Sequence, residues 1–333
     1  MKEMNEILSM SSKLFNLERL KQIQGLGIVI FLFGMEIQAQ AAWNPYENQL
    51  FVRPTFVTGS YDSAFLGNQR ANYDETVHIN SGFLTLEYGL TDNWAVDGTV
   101  GIGRISEHQL LNRPGLESVR EEKKSGTMDS RFGIRYKITD EYLSNYWWMP
   151  TLTVRFGGIH KGDYDRNPQS LGDGASGYEM NLYWAKDFKF WGLGNFGELG
   201  YRSREKPVPD DILYGWGFYK RFFKSFLMIV SGRGQIGQGG YSFADPRGEP
   251  GFNLFDYGFD RLSLNGINLY DYYLQESRPP WGRREDFHTL DAGLGFTDSS
   301  GNFYYIFASR VVNGFNSAEL TSYGFLVNFP FYL

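Results

Sequence analysis

The sequence predicts an all-β chain, an antiparallel up-and-down transmembrane barrel of about 12 strands (10–14), with long extracellular loops and short periplasmic turns. Three observations carry that expectation: a strict two-residue alternation in the last strand, an export signal at the amino end, and connections that alternate between short and long. The last strand is the clearest. In steps of two from the carboxyl end, Leu333, Phe331, Phe329, Val327, Phe325 and Tyr323 are all apolar or aromatic. The intervening Tyr332, Pro330, Asn328, Leu326 and Gly324 are mixed. A period of two places one face of a strand in an apolar medium. A chain that ends on its most hydrophobic strand has the pattern of a barrel's closing strand, with one face against lipid.

The amino end predicts export. Gly25 to Met35 is an unbroken apolar run preceded by Lys13, Arg19 and Lys21, and Ala39-Gln40-Ala41 follows as a small-residue cleavage site. That order is a secretory signal, and the run is too short for a membrane-spanning helix, which needs about twenty residues. The domain reading is therefore a signal peptide over 1–41 and an outer-membrane barrel over 42–333. Lys2, Lys13, Arg19 and Lys21 balance Glu3, Glu6, Glu18 and Glu36, so the net charge of −6 belongs to the remainder. An acidic exported chain is a poor partner for nucleic acid. The absence of cysteine removes disulfides, thiolate chemistry and an amino-terminal lipidated cysteine. The 28 Phe, 22 Tyr and 40 Gly suit aromatic girdles and turns.

Alternation then marks the strands. In Trp94 to Ile105, Trp94, Val96, Val100 and Ile102 oppose Asp97, Thr99 and Gly101. From Arg131 to Thr139, Phe132, Ile134, Tyr136 and Ile138 oppose Arg131, Gly133, Arg135 and Lys137. Tyr178, Met180, Leu182 and Trp184 oppose Glu179, Asn181 and Tyr183. Weaker strands begin near Gln49, Ser81, Met149, Asn195, Ile212, Ser225, Asp286 and Phe303. Short turns are expected at 90–93, 140–145, 187–194, 220–224 and 298–302, and longer loops near 60–77, 106–127, 160–175, 205–210, 237–283 and 312–317. An up-and-down barrel produces that alternation; a Greek-key sandwich does not. Thr91-Asp92, Thr139-Asp140 and Thr297-Asp298 each fall where a strand meets a short turn. A carboxylate there can accept from the N–H two residues on and start the turn.

At Leu86-Glu87-Tyr88-Gly89-Leu90-Thr91-Asp92-Asn93-Trp94, at Ser130 to Lys137, at Pro150 to Arg155, at Gly162-Asp163 and at Leu199-Gly200-Tyr201-Arg202 the sequence resembles a known family. This is the group of outer-membrane barrels named for a MetA pathway of phenol degradation, distantly similar to FadL-type channels. The resemblance spans roughly residues 80–202 and, more weakly, the carboxyl end. It implies a barrel for uptake of small hydrophobic or aromatic compounds; its motifs are strand and turn patterns and do not name a solute. FadL-type channels carry an amino-terminal hatch, whereas here only a short stretch separates Ala42 from the first strand.

If the apolar phase faces lipid, the opposite phase lines the lumen. The candidate lining residues are Glu87, Asp97, Arg131, Arg135, Lys137, Arg155, Glu179, Glu198, Arg202, Arg233, Asp291 and Arg310. Such charges must be hydrated or paired. Hydrated, they make a selective aqueous pore; paired, they knit the wall. The long segment 237–283 holds Phe252, Phe255, Tyr257, Tyr270 and Tyr273, too aromatic for a disordered linker, and is expected to act either as a lid or apolar ligand surface at the barrel mouth or as a surface cap of only structural or antigenic consequence. No catalytic residue, metal ligand or cofactor site is assigned, since His78, His108, His160 and His288 are scattered and no cysteine accompanies them. The expected partners are outer-membrane lipids, a small-molecule solute, and the barrel-assembly machinery through Tyr323 to Leu333. The function expected is a passive outer-membrane channel of a Gram-negative-type cell for small solutes, hydrophobic or aromatic ones included. A structural or adhesive barrel with a closed lumen is the alternative, and a barrel hydrolase the third.

Overall fold

The computed structural model describes residues 42–66, 69–105, 125–163, 171–172, 174–188, 191–206, 208–223, 225–239, 284–315 and 317–333. The first strands are β1 (Gln49–Leu66), β2 (Gln69–Gly89), β3 (Trp94–Ile105), the stub β4 (Ser125–Thr127) and β5 (Ser130–Thr139). β6 (Thr151–His160), β7 (Gly177–Phe188), β8 (Leu193–Arg204) and β9 (Asp210–Phe222) follow. The last are β10 (Phe226–Gln238), β11 (Asp286–Thr297), β12 (Phe303–Phe315) and β13 (Thr321–Tyr332). Each wall strand pairs antiparallel with the next, β4 and β5 both pairing with β3. β1 pairs with β13, from Gln49 opposite Tyr332 to Ser60 opposite Thr321, and β2 with β3, so the sheet closes on itself. β4 and β5 act as one wall strand. Ile102 faces Thr127 while Thr99 faces Arg131, which is one residue too many on the second side, and Met128 N–H donates to the Gly101 carbonyl at 2.8 Å across that bulge. The barrel is therefore twelve-stranded.

Alternation sorts the wall as the sequence predicts. On β7, Tyr178, Met180 and Leu182 are exposed, while Glu179, Asn181 and Tyr183 are buried. The same division sets exposed Phe132, Ile134 and Tyr136 against buried Arg135 and Lys137 on β5. A belt of exposed apolar side chains around a polar interior requires a lipid solvent. Aromatic side chains cluster at the short-turn rim: Trp94 against Tyr136 at 4.6 Å between rings, and Phe226 against Phe296 at 5.2 Å. From Tyr178 to Phe188, strand rise and tilt give about 24 Å, close to the ~25 Å apolar band of such barrels. Among the described residues no helix is long and apolar enough to cross a membrane.

Turns and loops segregate to opposite ends, with one difference from expectation. Residues 60–66 and 69–77, expected in a loop, are strand. β1 and β2 stay paired from Leu50 opposite Tyr88 up to Leu66 opposite Gln69, with a register shift between Tyr61 and Ser63. The hairpin stands above the rim because it has its own apolar seat: buried Val77 meets Ile105 and Leu171, with Tyr61, Ile79 and Met128 packed around them. The Thr-Asp turns differ in chemistry. Asp298 accepts from the N–H of Ser300 and of Asn302, and Asp140 from the N–H of Tyr142, as expected. At the first turn Thr91 does this instead, its hydroxyl accepting from Asn93 and Trp94 N–H.

Candidate functional site

The inner wall carries a continuous chain of opposite charges. Arg53 of β1 meets Glu87 of β2 at 3.3 Å, and Glu87 also takes Arg135 of β5 at 2.9 Å. Arg135 bridges to Asp97 of β3 at 2.9 Å, and Asp97 accepts from Arg155 of β6 at 2.7 Å. Arg155 continues to Glu179 of β7, which takes Arg202 of β8 at 3.3 Å. Arg204 closes the series on Asp211 of β9 at 3.0 Å. Register makes the ladder possible, since Glu87 stands opposite Asp97, Arg135 opposite Arg155, and Arg202 opposite both Glu179 and Asp211. Two glycines give Arg155 room to lie along the wall. A Cβ at Gly133 would stand 2.8 Å from its guanidinium, and one at Gly157 2.7 Å. Alternating buried pairs satisfy one another's charge where a lone one would be costly.

Below the ladder, toward the short-turn end, the lumen is filled by apolar side chains. Phe303, Tyr305 and Phe307 of β12 stack at 6.1 and 5.6 Å, and Tyr219, Phe196, Tyr183 and Leu326 complete the cluster. The segment before β1 enters this core. Ala42 and Trp43 are buried in it, at 0% and 6% exposure. The segment is pinned at both ends: Thr153 Oγ1 of β6 donates to the Ala42 carbonyl at 2.6 Å, and Asn44 Nδ2 donates to the Asn93 carbonyl at 2.8 Å. Gly89 permits its entry, because a Cβ there would lie 1.9 Å from the Tyr46 carbonyl oxygen. The short stretch expected to be too brief for a hatch thus forms a small plug.

At the ladder itself lies a cavity of about 190 Å³ whose wall includes Glu87, Asp97, Arg131, Arg135 and Arg155, with Tyr183 shared with the apolar core beneath. Most of the lining residues expected from sequence converge here or beside it. Arg202 and Glu179 lie in the ladder, and Glu198 points inward in register between Tyr183 and Gly215. Arg233 and Asp291 pair at 3.3 Å on the β10–β11 wall, and Lys137 turns to Asp140 at 2.6 Å by the periplasmic rim. Arg310 departs from the expectation: it lies opposite exposed Leu290, on the outward phase of β12, and binds Glu319 at 2.8 Å above the wall. The phase of β12 is not legible from alternation, because its inward row, Phe303, Tyr305 and Phe307, is as aromatic as a lipid-facing one. Sequence reasoning missed Arg53, Arg204 and Asp211, though Gln49, Phe51 and Arg53 share one phase. Phe252, Phe255, Tyr257, Tyr270 and Tyr273 lie outside the described residues.

Two clusters tie the ends. At the periplasmic rim, Glu141 is buried in the 140–150 turn, accepting from Asp187 N–H at 2.9 Å with Lys186 Nζ at 3.3 Å. Burial pushes its carboxyl above the usual range, more than those two partners pull it down. At the opposite rim, Glu319 receives Arg310, Arg70 at 2.6 Å and Ser63 at 3.0 Å, which ties the β1–β2 hairpin to the last loop. The Arg310 hydrogen bond, chiefly, holds that carboxyl below the usual range. Among the described residues no group of His, Asp and Glu is arranged to hold a metal ion.

Fold and site define a class: a closed transmembrane β-barrel with a charged lumen and a short amino-terminal plug. The particular likeness is to a solved outer-membrane channel of Pseudomonas putida, with TM-score 0.59, 12% identity, and 89% of this chain and 100% of that chain covered. At that identity the likeness shows the fold, and the fold is that of an outer-membrane barrel. The KdgM porin (TM-score 0.41, 8% identity, covering 83% of this chain and 98% of that one) is more distant. So is a Pseudomonas aeruginosa FadL homologue (TM-score 0.36, 12% identity, covering 89% and 94%). No protein-family model matches the sequence, and no curated protein does.

Proposed function

We propose that this chain is a passive outer-membrane channel of a Gram-negative-type cell for small solutes, hydrophobic or aromatic ones included. One observation carries the reading. The lumen holds a polar cavity above an apolar core whose last piece, Ala42 to Asn44, belongs to a terminal segment and not to the wall. A structural barrel gains nothing from closing its bore with a segment held by two side-chain hydrogen bonds, whereas a channel gains a stopper that can leave. Removal of 1–41 as a signal peptide suits this reading, because it would leave Ala42 as the tip of the plug. The loop 237–283 serves as an outer lid, and Tyr323 to Leu333 as the strand that the barrel-assembly machinery recognises, its exposed Tyr323, Phe325 and Phe331 forming the outward row.

The second reading, a sealed barrel acting through its surface, is favoured by the ladder, in which most of the lumen charges are paired. Single-channel recording of residues 42–333 in a planar bilayer separates the two. Discrete current steps, more frequent when 42–45 are deleted, support the channel. A correctly folded barrel that stays silent in both forms, and in a third lacking 245–278, overturns it.

A further inference from the structure

We propose that the lumen cavity is a subsite for a small monocarboxylate, with Arg131 as its charged anchor. The inference rests on the channel reading and names the solute class that the same site would take.

Charge balance is the first argument. Four arginines, Arg53, Arg131, Arg135 and Arg155, face three carboxylates, Glu87, Asp97 and Glu179, around a volume of about 190 Å³. The carboxylates are already engaged. Glu87 and Asp97 each hold two guanidiniums at 3.3 Å or less, and Glu179 takes Arg155 and Arg202. Positive charge is in excess around the cavity, and the geometry says which guanidinium is least engaged. Among the described residues Arg131 reaches only one partner, Glu179 at 4.0 Å, and its side chain is 45% exposed. An arginine with one long contact keeps nearly all its donors for something else.

A second observation points the same way. Arg135 is buried, yet its Nη1 has no hydrogen-bond partner among the described residues. A buried charged donor without an acceptor is costly, and an anion between Arg131 and Arg135 would satisfy it. The leftover acceptor, Glu87 Oε2, needs a donor such as a water or a ligand hydroxyl, which the same space admits. Size then narrows the class. The cavity would hold several waters at about 30 Å³ each, or one single-ring anion. Tyr183 links it to the apolar cluster beneath, so a ring would rest on an apolar floor while its carboxylate met the guanidiniums. A cation would face four arginines, and a neutral hydrocarbon would bury them without acceptors.

The test is equilibrium binding by the detergent-folded chain of residues 42–333, titrated calorimetrically at pH 7 with benzoate and with benzamide, its neutral counterpart. Benzoate should bind at least about tenfold more tightly, as a charge-assisted hydrogen bond would give. Arg131→Gln should erase that preference and Arg131→Lys should keep most of it, with thermal melts confirming that both fold. Equal binding of the two probes, no benzoate binding at millimolar concentration, or a preference untouched by Arg131→Gln would overturn the proposal. Failure of the channel reading is separate. A silent barrel that still prefers benzoate keeps the subsite and loses the channel, whereas a conducting barrel indifferent to benzoate loses only the subsite.

Discussion

Trp43→Ala should open the barrel from the periplasmic side. The indole is 94% removed from solvent, by its 6% exposure, within the apolar core of the lumen. Truncating a buried Trp to Ala removes about 3–5 kcal/mol of packing. What then holds the segment is chiefly the Thr153 hydroxyl on the Ala42 carbonyl and the Asn44 amide on the Asn93 carbonyl, each contributing about 1 kcal/mol net. At 1.4 kcal/mol per decade, losing the indole shifts the seated-to-released ratio by at least about a hundredfold. Gly89→Ala makes the same change from the wall, since its Cβ would lie 1.9 Å from the Tyr46 carbonyl oxygen and 2.6 Å from that of Pro45. Thr153→Val, which removes one hydrogen bond and keeps the shape, should give only about a fivefold shift. Single-channel recording in planar bilayers reads all three as open probability, and the order Trp43→Ala, Gly89→Ala, then Thr153→Val follows from these contacts. Open probabilities within twofold of the parent for both Trp43→Ala and Gly89→Ala, in barrels that do conduct, would refute the plug as the gate.

Three further outcomes follow from the same geometry. Glu179→Ala leaves the buried Arg155 and Arg202 guanidiniums without their shared carboxylate and should cost about 3–5 kcal/mol in urea unfolding from detergent; a loss under 1 kcal/mol would mean that water, not pairing, satisfies the ladder. The Glu141 carboxyl is held above its unfolded range by burial, so the folded state binds that proton more tightly. Its contribution is present at acid pH and is lost as pH rises from the usual carboxylate value of about 4.3 through the raised one; Glu141→Gln should remove that slope from a melting-versus-pH curve. Glu319 behaves oppositely, its tie to Arg310 and Arg70 persisting as pH falls through the usual carboxylate range and failing only below it. Protease nicking near 316–320 should therefore stay low at pH 5 and rise on stronger acidification, and Glu319→Gln should be nicked readily at pH 7.

Strand phases were readable wherever one side was apolar and the other charged, as in Phe132, Ile134 and Tyr136 against Arg131, Gly133 and Arg135. Arg310 was assigned to the wrong face because β12 is aromatic on both phases: Phe303 and Tyr305 fill the bore while Tyr304 and Ile306 lie on the outward phase. The hairpin of β1 and β2 was hidden for a related reason. Its polar residues 67–75 look like a loop until Val77 and Ile105 meet above the rim.

The sequence by itself determined the solvent of most wall faces, a range of about 10–14 for the crossings and the end at which the tight turns lie. Alternation, turn chemistry and strand length are local properties, and each can be read within ten or so residues. Only the tertiary structure decided that the lumen charges form one ladder from Arg53 to Arg204, that Arg131 has one long ion pair among the described residues, and that Ala42 and Trp43 are buried in the apolar core of the lumen. Those facts depend on register and on closure of β1 onto β13. Both bring together residues far apart in the chain, such as Thr153 and Ala42, through the sum of all the strand pairings between them.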